Sequence, residues 1–392
     1  MSRHLGSLAK APVHCIPVSA QPGQRRLGPV LAALLIGGAT LLAGCDRTES
    51  VQGGYRGVGM WQLSDPSDAK ALQALNQIPA PEPQDPPDPS LPLASQMYKS
   101  VQVLGDLNVL QFTRLMQALS TWVAPQQGCE YCHNVENLAS DEKYTKNVAR
   151  RMLQMTRQIN SQWKLHVANT GVTCWTCHRG QPVPSGTWFT DPGPRTASGA
   201  MGYKGGQNTQ GVAAIGHAAL PYDPLTEYLV GDKAISVQAT QALGKDRPAT
   251  KQTEWTYALM MYVSKSLGVN CTYCHNTRAM GVWDQSTPKR TTAWYGIRMV
   301  RQLNEAYLNP LLPLYPANRL GKTGDAPKVA CETCHKGVYK PLYGISMLPD
   351  YPELAGVLPP PAAPQDPSSP VPQPVPEAAA ADAPSPNLTA NP

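Results

Sequence analysis

The pentapeptide Cys-x-x-Cys-His occurs four times in 392 residues, at Cys129–His133, Cys174–His178, Cys271–His275 and Cys331–His335. Paired thiols at this spacing add across the two vinyl groups of a haem, and the imidazole that follows takes the proximal face of its iron. Four copies predict four covalently bound haem c groups. They are held by Cys129, Cys132, Cys174, Cys177, Cys271, Cys274, Cys331 and Cys334, with His133, His178, His275 and His335 on iron. Other uses of paired cysteines fit less well. A zinc ribbon needs its two pairs roughly 15–20 residues apart, and the interval from Cys132 to Cys174 is far longer. A redox-active disulfide accounts for one Cys-x-x-Cys with a depressed thiol pKa, not for four with the same residue after each.

The cofactors also bear on the core. Only 2 Phe stand beside 16 Tyr and 8 Trp, and Pro (40) and Gly (32) are frequent. Four macrocycles would supply the apolar surface that the side chains lack. The expectation is a mainly α fold with extensive irregular loops, which does not form without cofactor. Of 10 cysteines only Cys15 and Cys45 lie outside the motifs, so no disulfide framework is expected.

Haem attachment of this kind points to export, and the N-terminus agrees. Arg25-Arg26 precede an apolar run from Leu27 to Ala43, the length of a signal h-region and shorter than the ~20 residues of a spanning helix. The run ends in Leu42-Ala43-Gly44-Cys45, which looks like a bacterial lipoprotein box. Residues 1–44 therefore read as a lipoprotein signal peptide and Cys45 as the lipidated first residue of the mature chain; the alternative is an uncleaved anchor. Either places the remainder outside the cytoplasm, and Asp46 resembles an inner-membrane retention signal. Cleavage lowers the net charge from +6 to +2, which is no nucleic-acid footprint.

Residues 45–97 read as an N-terminal anchor and Pro-rich tether, with seven prolines between Pro79 and Pro92; an ordered strap on a partner is the alternative. Helical periodicity then precedes each motif. Phe112, Met116, Leu119 and Val123 share one helix face, as do Val148, Met152, Met155 and Ile159. A third helix, about Glu254 to Ser266, carries Met260, and a fourth, about Thr292 to Leu308, carries Met299. Methionine-to-motif gaps run 13, 22, 11 and 32 residues. This short-long-short-long order, with the likeness of ARRMLQMTRQIN (149–160) to GIRMVRQLNEAY (296–307), predicts two pseudo-symmetric dihaem halves at 98–180 and 220–357. Residues 181–219 connect them, and 358–392 read as a Pro/Ala-rich disordered tail.

Six histidines follow the leader: the four in the motifs, His166 and His217. At most two haems can be bis-imidazole from within the chain, so methionine must close most distal faces. A single Met on an apolar face is ordinarily core filler; recurrence at one place in each repeat selects Met116, Met152 and Met260, with Met155 and Met261 as local alternatives. For the fourth haem, repeat symmetry nominates Met299, whereas His166, eight residues before Cys174, is the other candidate. Thioether ligation raises potential, so the array should be mostly high-potential with one lower member.

GCEYCHN, ARRMLQMTR, HVANTGVTCWTCHRG, ALMM with NCTYCHN, STPKR, WYGIRMVR, TCHKGV and DYPEL together resemble one family: the tetrahaem cytochrome c subunit of purple bacterial photosynthetic reaction centres. The resemblance runs from Cys45 to about Ala355. It implies Met116, Met152 and Met260 as distal ligands of the first three haems and His166 as that of the fourth. It also implies an electron relay without substrate chemistry on the periplasmic face of the inner membrane. A soluble cytochrome c or high-potential iron–sulfur protein would load the first haem (His133, Met116). The third (His275, Met260) would lie beside the bacteriochlorophyll pair of the membrane subunits, with Arg290 a candidate to raise its potential. The alternative from another class is a periplasmic multihaem reductase, which needs an iron with an open distal position.

Overall fold

A computed structural model describes residues 49–53, 60–64, 66–192 except 85 and 87, 220–237 except 222 and 236, and 250–356. Residues 1–44, Cys45, His217 and the stretch 358–392 lie outside the described residues. The chain is mainly helical, as expected. One antiparallel hairpin, β1 (Glu49–Gly53) with β2 (Met60–Ser64), was not anticipated from the Gly-rich run that contains it. The helices are α1 (Pro66–Leu75), α2 (Ala94–Met97), α3 (Val109–Val123), α4 (Tyr144–Gln162), α5 (Lys164–Val167), α6 (Cys174–His178), α7 (Thr250–Leu267), α8 (Pro288–Gln302) and α9 (Cys331–His335). Among the described residues no helix is long and apolar enough to cross a membrane.

Local chemistry sets the helix bounds. Asn108 caps α3 by accepting from Gln111 N, while the Gln111 side chain accepts from Asn108 N, so two orphan N–H groups are satisfied reciprocally. Leu115, Ala118 and Trp122 form its buried face, and Pro125 lies just beyond its C-cap Ala124. Pro288 opens α8 at a position that needs no N–H. The single helix expected to run to Leu308 changes register after Gln302, into a π turn (Leu303–Leu308) and then a 3₁₀ stretch (Asn309–Leu314). A widened turn of this kind commonly marks a functional or packing constraint, and here it carries the fully buried Asn304.

Asn304 belongs to a short motif present twice, Arg-Gln-x-Asn at 157–160 and 301–304. Asn160 Nδ2 donates to the carbonyls of Val172 and Leu354, and its Oδ1 accepts from Val172 N. Asn304 Nδ2 donates to those of Leu229 and Val329, and its Oδ1 accepts from Val329 N. Arg157 binds the carbonyls of Glu353 and Val103, and Arg301 those of Tyr228 and Lys233. Each motif thus fixes the strand that enters a downstream Cys-x-x-Cys-His and one strap laid across the helix. Asn160→Ala leaves a buried N–H and two carbonyls without partners and should cost about 2–4 kcal/mol. Denaturant melts of the holoprotein read this out, and a loss under about 0.5 kcal/mol would contradict it.

Leu342, Met347, Tyr351 and Leu354, inside the range predicted for the second half, pack with Leu104, Leu115, Trp122 and Leu153 of the first. The Pro-rich stretch joins them. Arg114 on α3 donates to the carbonyls of Glu82, Pro83 and Asp350 and lies 4.2 Å over the Tyr351 ring, whose hydroxyl accepts from Glu82 N. Residues 82–83 are therefore a strap on the chain itself. A second cluster unites Leu259, Val300 and Ala330 with Tyr228 and Leu229, and a third joins Ile159 and Val172 to Met299, Leu303 and Tyr307.

Candidate functional site

Residues i, i+3 and i+4 of a helical turn share one face, which is why two thiols and an imidazole in this order can reach one macrocycle. All four motifs are helical turns. The first and third are single 3₁₀ turns (Gly128–Tyr131 and Cys271–Tyr273), closed by His133 N to Cys129 O and His275 N to Cys271 O, both 2.9 Å. The second and fourth are the short helices α6 and α9. Each of these ends on a left-handed residue, Arg179 or Lys336, both at φ 50 and ψ 43. The glycine that follows anchors the turn to a methionine helix: Gly180 N donates to Trp122 O and Gly337 N to Ser266 O.

Cys132, Cys174, Cys274 and Cys331 are not poised for redox or zinc chemistry. Burial pushes Cys132, Cys274 and Cys331 up to about 11 and Cys174 up to about 12, whereas a reactive cysteine is a thiolate near neutrality. Among the described residues no group of three or more His, Cys, Asp or Glu could hold a bare ion.

Five imidazoles are locked in one tautomer. Nδ1 of His133 lies 3.2 Å from Leu138 O, of His178 2.9 Å from Gln181 O, of His275 2.9 Å from Met280 O and of His335 3.0 Å from Val338 O. His166 Nδ1 lies 2.9 Å from Thr292 O. A carbonyl only accepts, so Nδ1 carries the hydrogen in each ring and the Nε2 lone pair is left for a metal. Burial lowers all five pKa values, that of His335 to about 4, so the neutral ligating form is favoured. Arg290 supports one of these carbonyl anchors. It donates to Val282 O and Gly281 O and stacks 4.0 Å over Trp283, ordering the loop that presents Met280 O to His275.

The rings of His166 and His335 lie with centroids 6.0 Å apart and their planes at 63°. Two imidazoles on opposite sides of one metal stand off by two bonds of about 2 Å and two ring radii, roughly 6 Å in all. Met299 is elsewhere, buried against Ile159, Leu303 and Tyr307.

Met116 and Met260 pack at the edges of the first and second clusters, and Met152 is half-buried on α4. Of their alternatives, Met261 is 39% exposed and Met155 lies against the third cluster. One turn beyond the first two methionines stands a hydroxyl that sequence reasoning missed. Ser120 Oγ donates to Met116 O and lies 3.9 Å from Cys129 Sγ. Thr156 Oγ1 donates to Met152 O and is in hydrogen-bond contact with the Cys174 thiol. Ser264 holds that offset from Met260, but Met299 is followed there by Leu303. Met-x-x-x-Ser/Thr was the legible signal, and it separates Met299 from the other three.

One expectation is not met. The Sγ atoms of Cys177 and Cys334 are in disulfide contact, with Cα atoms 4.5 Å apart, which places α6 and α9 side by side. A sulfur bonded in this way cannot also carry a thioether, so at these two positions the pairing and haem attachment exclude each other. The remaining donors fit haem c: turn-borne thiols, Nε2 atoms kept free, and the His166–His335 spacing.

A model of the photosynthetic reaction centre cytochrome c subunit family matches residues 44–355. The chain belongs to this family. It is 50% identical over 329 residues to the photosynthetic reaction center cytochrome c subunit of Rubrivivax gelatinosus, covering 83% of this chain and 88% of that one. The corresponding subunit of Thermochromatium tepidum is 49% identical over 333 residues, 83% of this chain and 80% of the relative. That of Roseobacter denitrificans is 40% identical over 349 residues, 83% and 91%. The family match contains every Cys-x-x-Cys-His motif, every methionine helix and His166, and it stops short of residues 358–392.

Proposed function

We propose that this electron-transfer subunit carries four covalently bound haem c groups in two dihaem halves. It would pass electrons from a soluble periplasmic donor, a small cytochrome c or a high-potential iron–sulfur protein, to the photo-oxidised bacteriochlorophyll pair of the membrane subunits. Family membership makes the chain a haem-bearing electron carrier of the reaction centre rather than an enzyme, associated with the membrane on its periplasmic side. Lipid on Cys45 would supply the anchor.

Haem c, when bound, supplies a one-electron iron couple. The thiols of the four motifs would fix each group, Cys177 and Cys334 bonding haem in place of each other, and His133, His178, His275 and His335 would each ligate one iron. Met116, Met152 and Met260 would supply the second ligand to three of the irons and His166 to the fourth. The observation that carries this reading is the pose of His166: Nδ1 is committed to Thr292 O and its ring stands 6.0 Å from that of His335. Paired local geometry supports the two halves. Thr145 Oγ1 donates to Tyr131 O and Thr287 Oγ1 to Tyr273 O, each across 14 residues. Thr176 Oγ1 accepts from Thr173 N as Thr333 Oγ1 does from Ala330 N.

Low-temperature absorption and EPR during a redox titration test the ligand set. The expected result is four low-spin, six-coordinate haems with one component at lower potential. A high-spin iron that binds cyanide readily would favour the reductase reading.

A further inference from the structure

We propose that Gly296 is a positioning residue: its missing side chain reserves the place of the His166 imidazole against α8, and so sets the pose in which that ring faces His335. The inference rests on His166 being the distal ligand of the fourth haem.

Glycine in a helix interior is unfavourable relative to alanine, and Gly296 is buried within α8, so its presence needs a reason. A Cβ at Gly296 would stand 2.5 Å from Cε1 of His166, 2.8 Å from Nδ1 and 3.0 Å from Nε2. All three contacts lie inside ordinary van der Waals separation, and they run along the edge of the ring. The ring has no free retreat, because its Nδ1 is held 2.9 Å from Thr292 O. Thr292 and Gly296 are one turn apart on one face of α8. Together they make a notch, with a carbonyl acceptor at one end and open space at the other. His335 stands across from the ring.

The duplicated segment gives an internal comparison. Aligning the Arg-Gln-x-Asn motifs (157–160 and 301–304), whose asparagines make matching contacts, sets Met152 opposite Gly296. The helix proposed to supply its own ligand has its methionine there. The helix against which an imidazole from another segment lies has no side chain at that place.

The test uses the full chain in its membrane complex. Gly296→Ala should remove the bis-imidazole EPR signature of the fourth haem and shift the lowest-potential component of the titration upward, with the other three unchanged. An unaltered signature would overturn the proposal. If Gly296→Ala does not assemble, a cavity pair decides. His166→Gly should lose the signature and regain it with added imidazole. The double variant H166G/G296A, which has no ring to collide with, should need at least about tenfold more imidazole for the same recovery. Equal recovery in the two would overturn the role of Gly296 while leaving His166 as ligand. If His166→Gly alone keeps the signature, the ligand assignment itself is wrong, and the positioning role falls with it.

Discussion

Met260→Ala is expected to lower the midpoint potential of the third haem by on the order of 0.1 V, a fraction of the ~0.8 V that axial ligation spans. A thioether is a soft ligand that stabilises ferrous iron; without it the third haem gives up its electron more readily at equilibrium but no longer matches its neighbours. For one electron 0.1 V is about 2.3 kcal/mol, or roughly 50-fold in the sharing equilibrium between adjacent haems. Electrons would collect away from the third site, and re-reduction of the photo-oxidised pair should slow. Spectroelectrochemical titration and flash kinetics on the membrane complex measure the two effects. Met261→Ala is the control, since that side chain is 39% exposed and should leave both readouts as they are. An unchanged potential in Met260→Ala would refute its placement on iron.

His166→Ala should convert the fourth haem alone from low spin to high spin, since no other imidazole among the described residues is held opposite His335. Met299→Ala should do something different. Its side chain is 7% exposed within the third cluster, so truncation should cost about 2–5 kcal/mol of stability with the haem spectrum preserved. EPR and denaturant melts on both variants separate ligand from core. If Met299→Ala perturbs the fourth haem and His166→Ala does not, repeat symmetry was the better guide.

Much of the candidate site was legible because its chemistry demands fixed local spacing. Two thiols and an imidazole must share one helical turn, and the methionines recur on one face of a helix ahead of the motifs. Helix extents followed: α7 runs Thr250–Leu267 where about Glu254 to Ser266 was expected. What could not be read were contacts made across the chain. Leu354 reaches Asn160 over 194 residues, and Arg114 reaches Asp350 over 236, contacts that no repeat or spacing announces. The π turn arises where Asn304 meets Leu229 and Val329, again a tertiary demand. Gly296 gave no signal in isolation, because its meaning depends on a ring from a segment 130 residues earlier. The hydroxyl one turn after Met116, Met152 and Met260 is written in the sequence as Met-x-x-x-Ser/Thr. The approach of Cys177 to Cys334 had no sequence signature at all.

The four covalent haems are the central claim, and the intact mass of the mature polypeptide tests it most directly. The account predicts the mass of the chain plus four porphyrins, with all eight motif cysteines resistant to alkylation before and after reduction. Fewer than four porphyrins, or a Cys177–Cys334 disulfide recovered from the native complex, would contradict it.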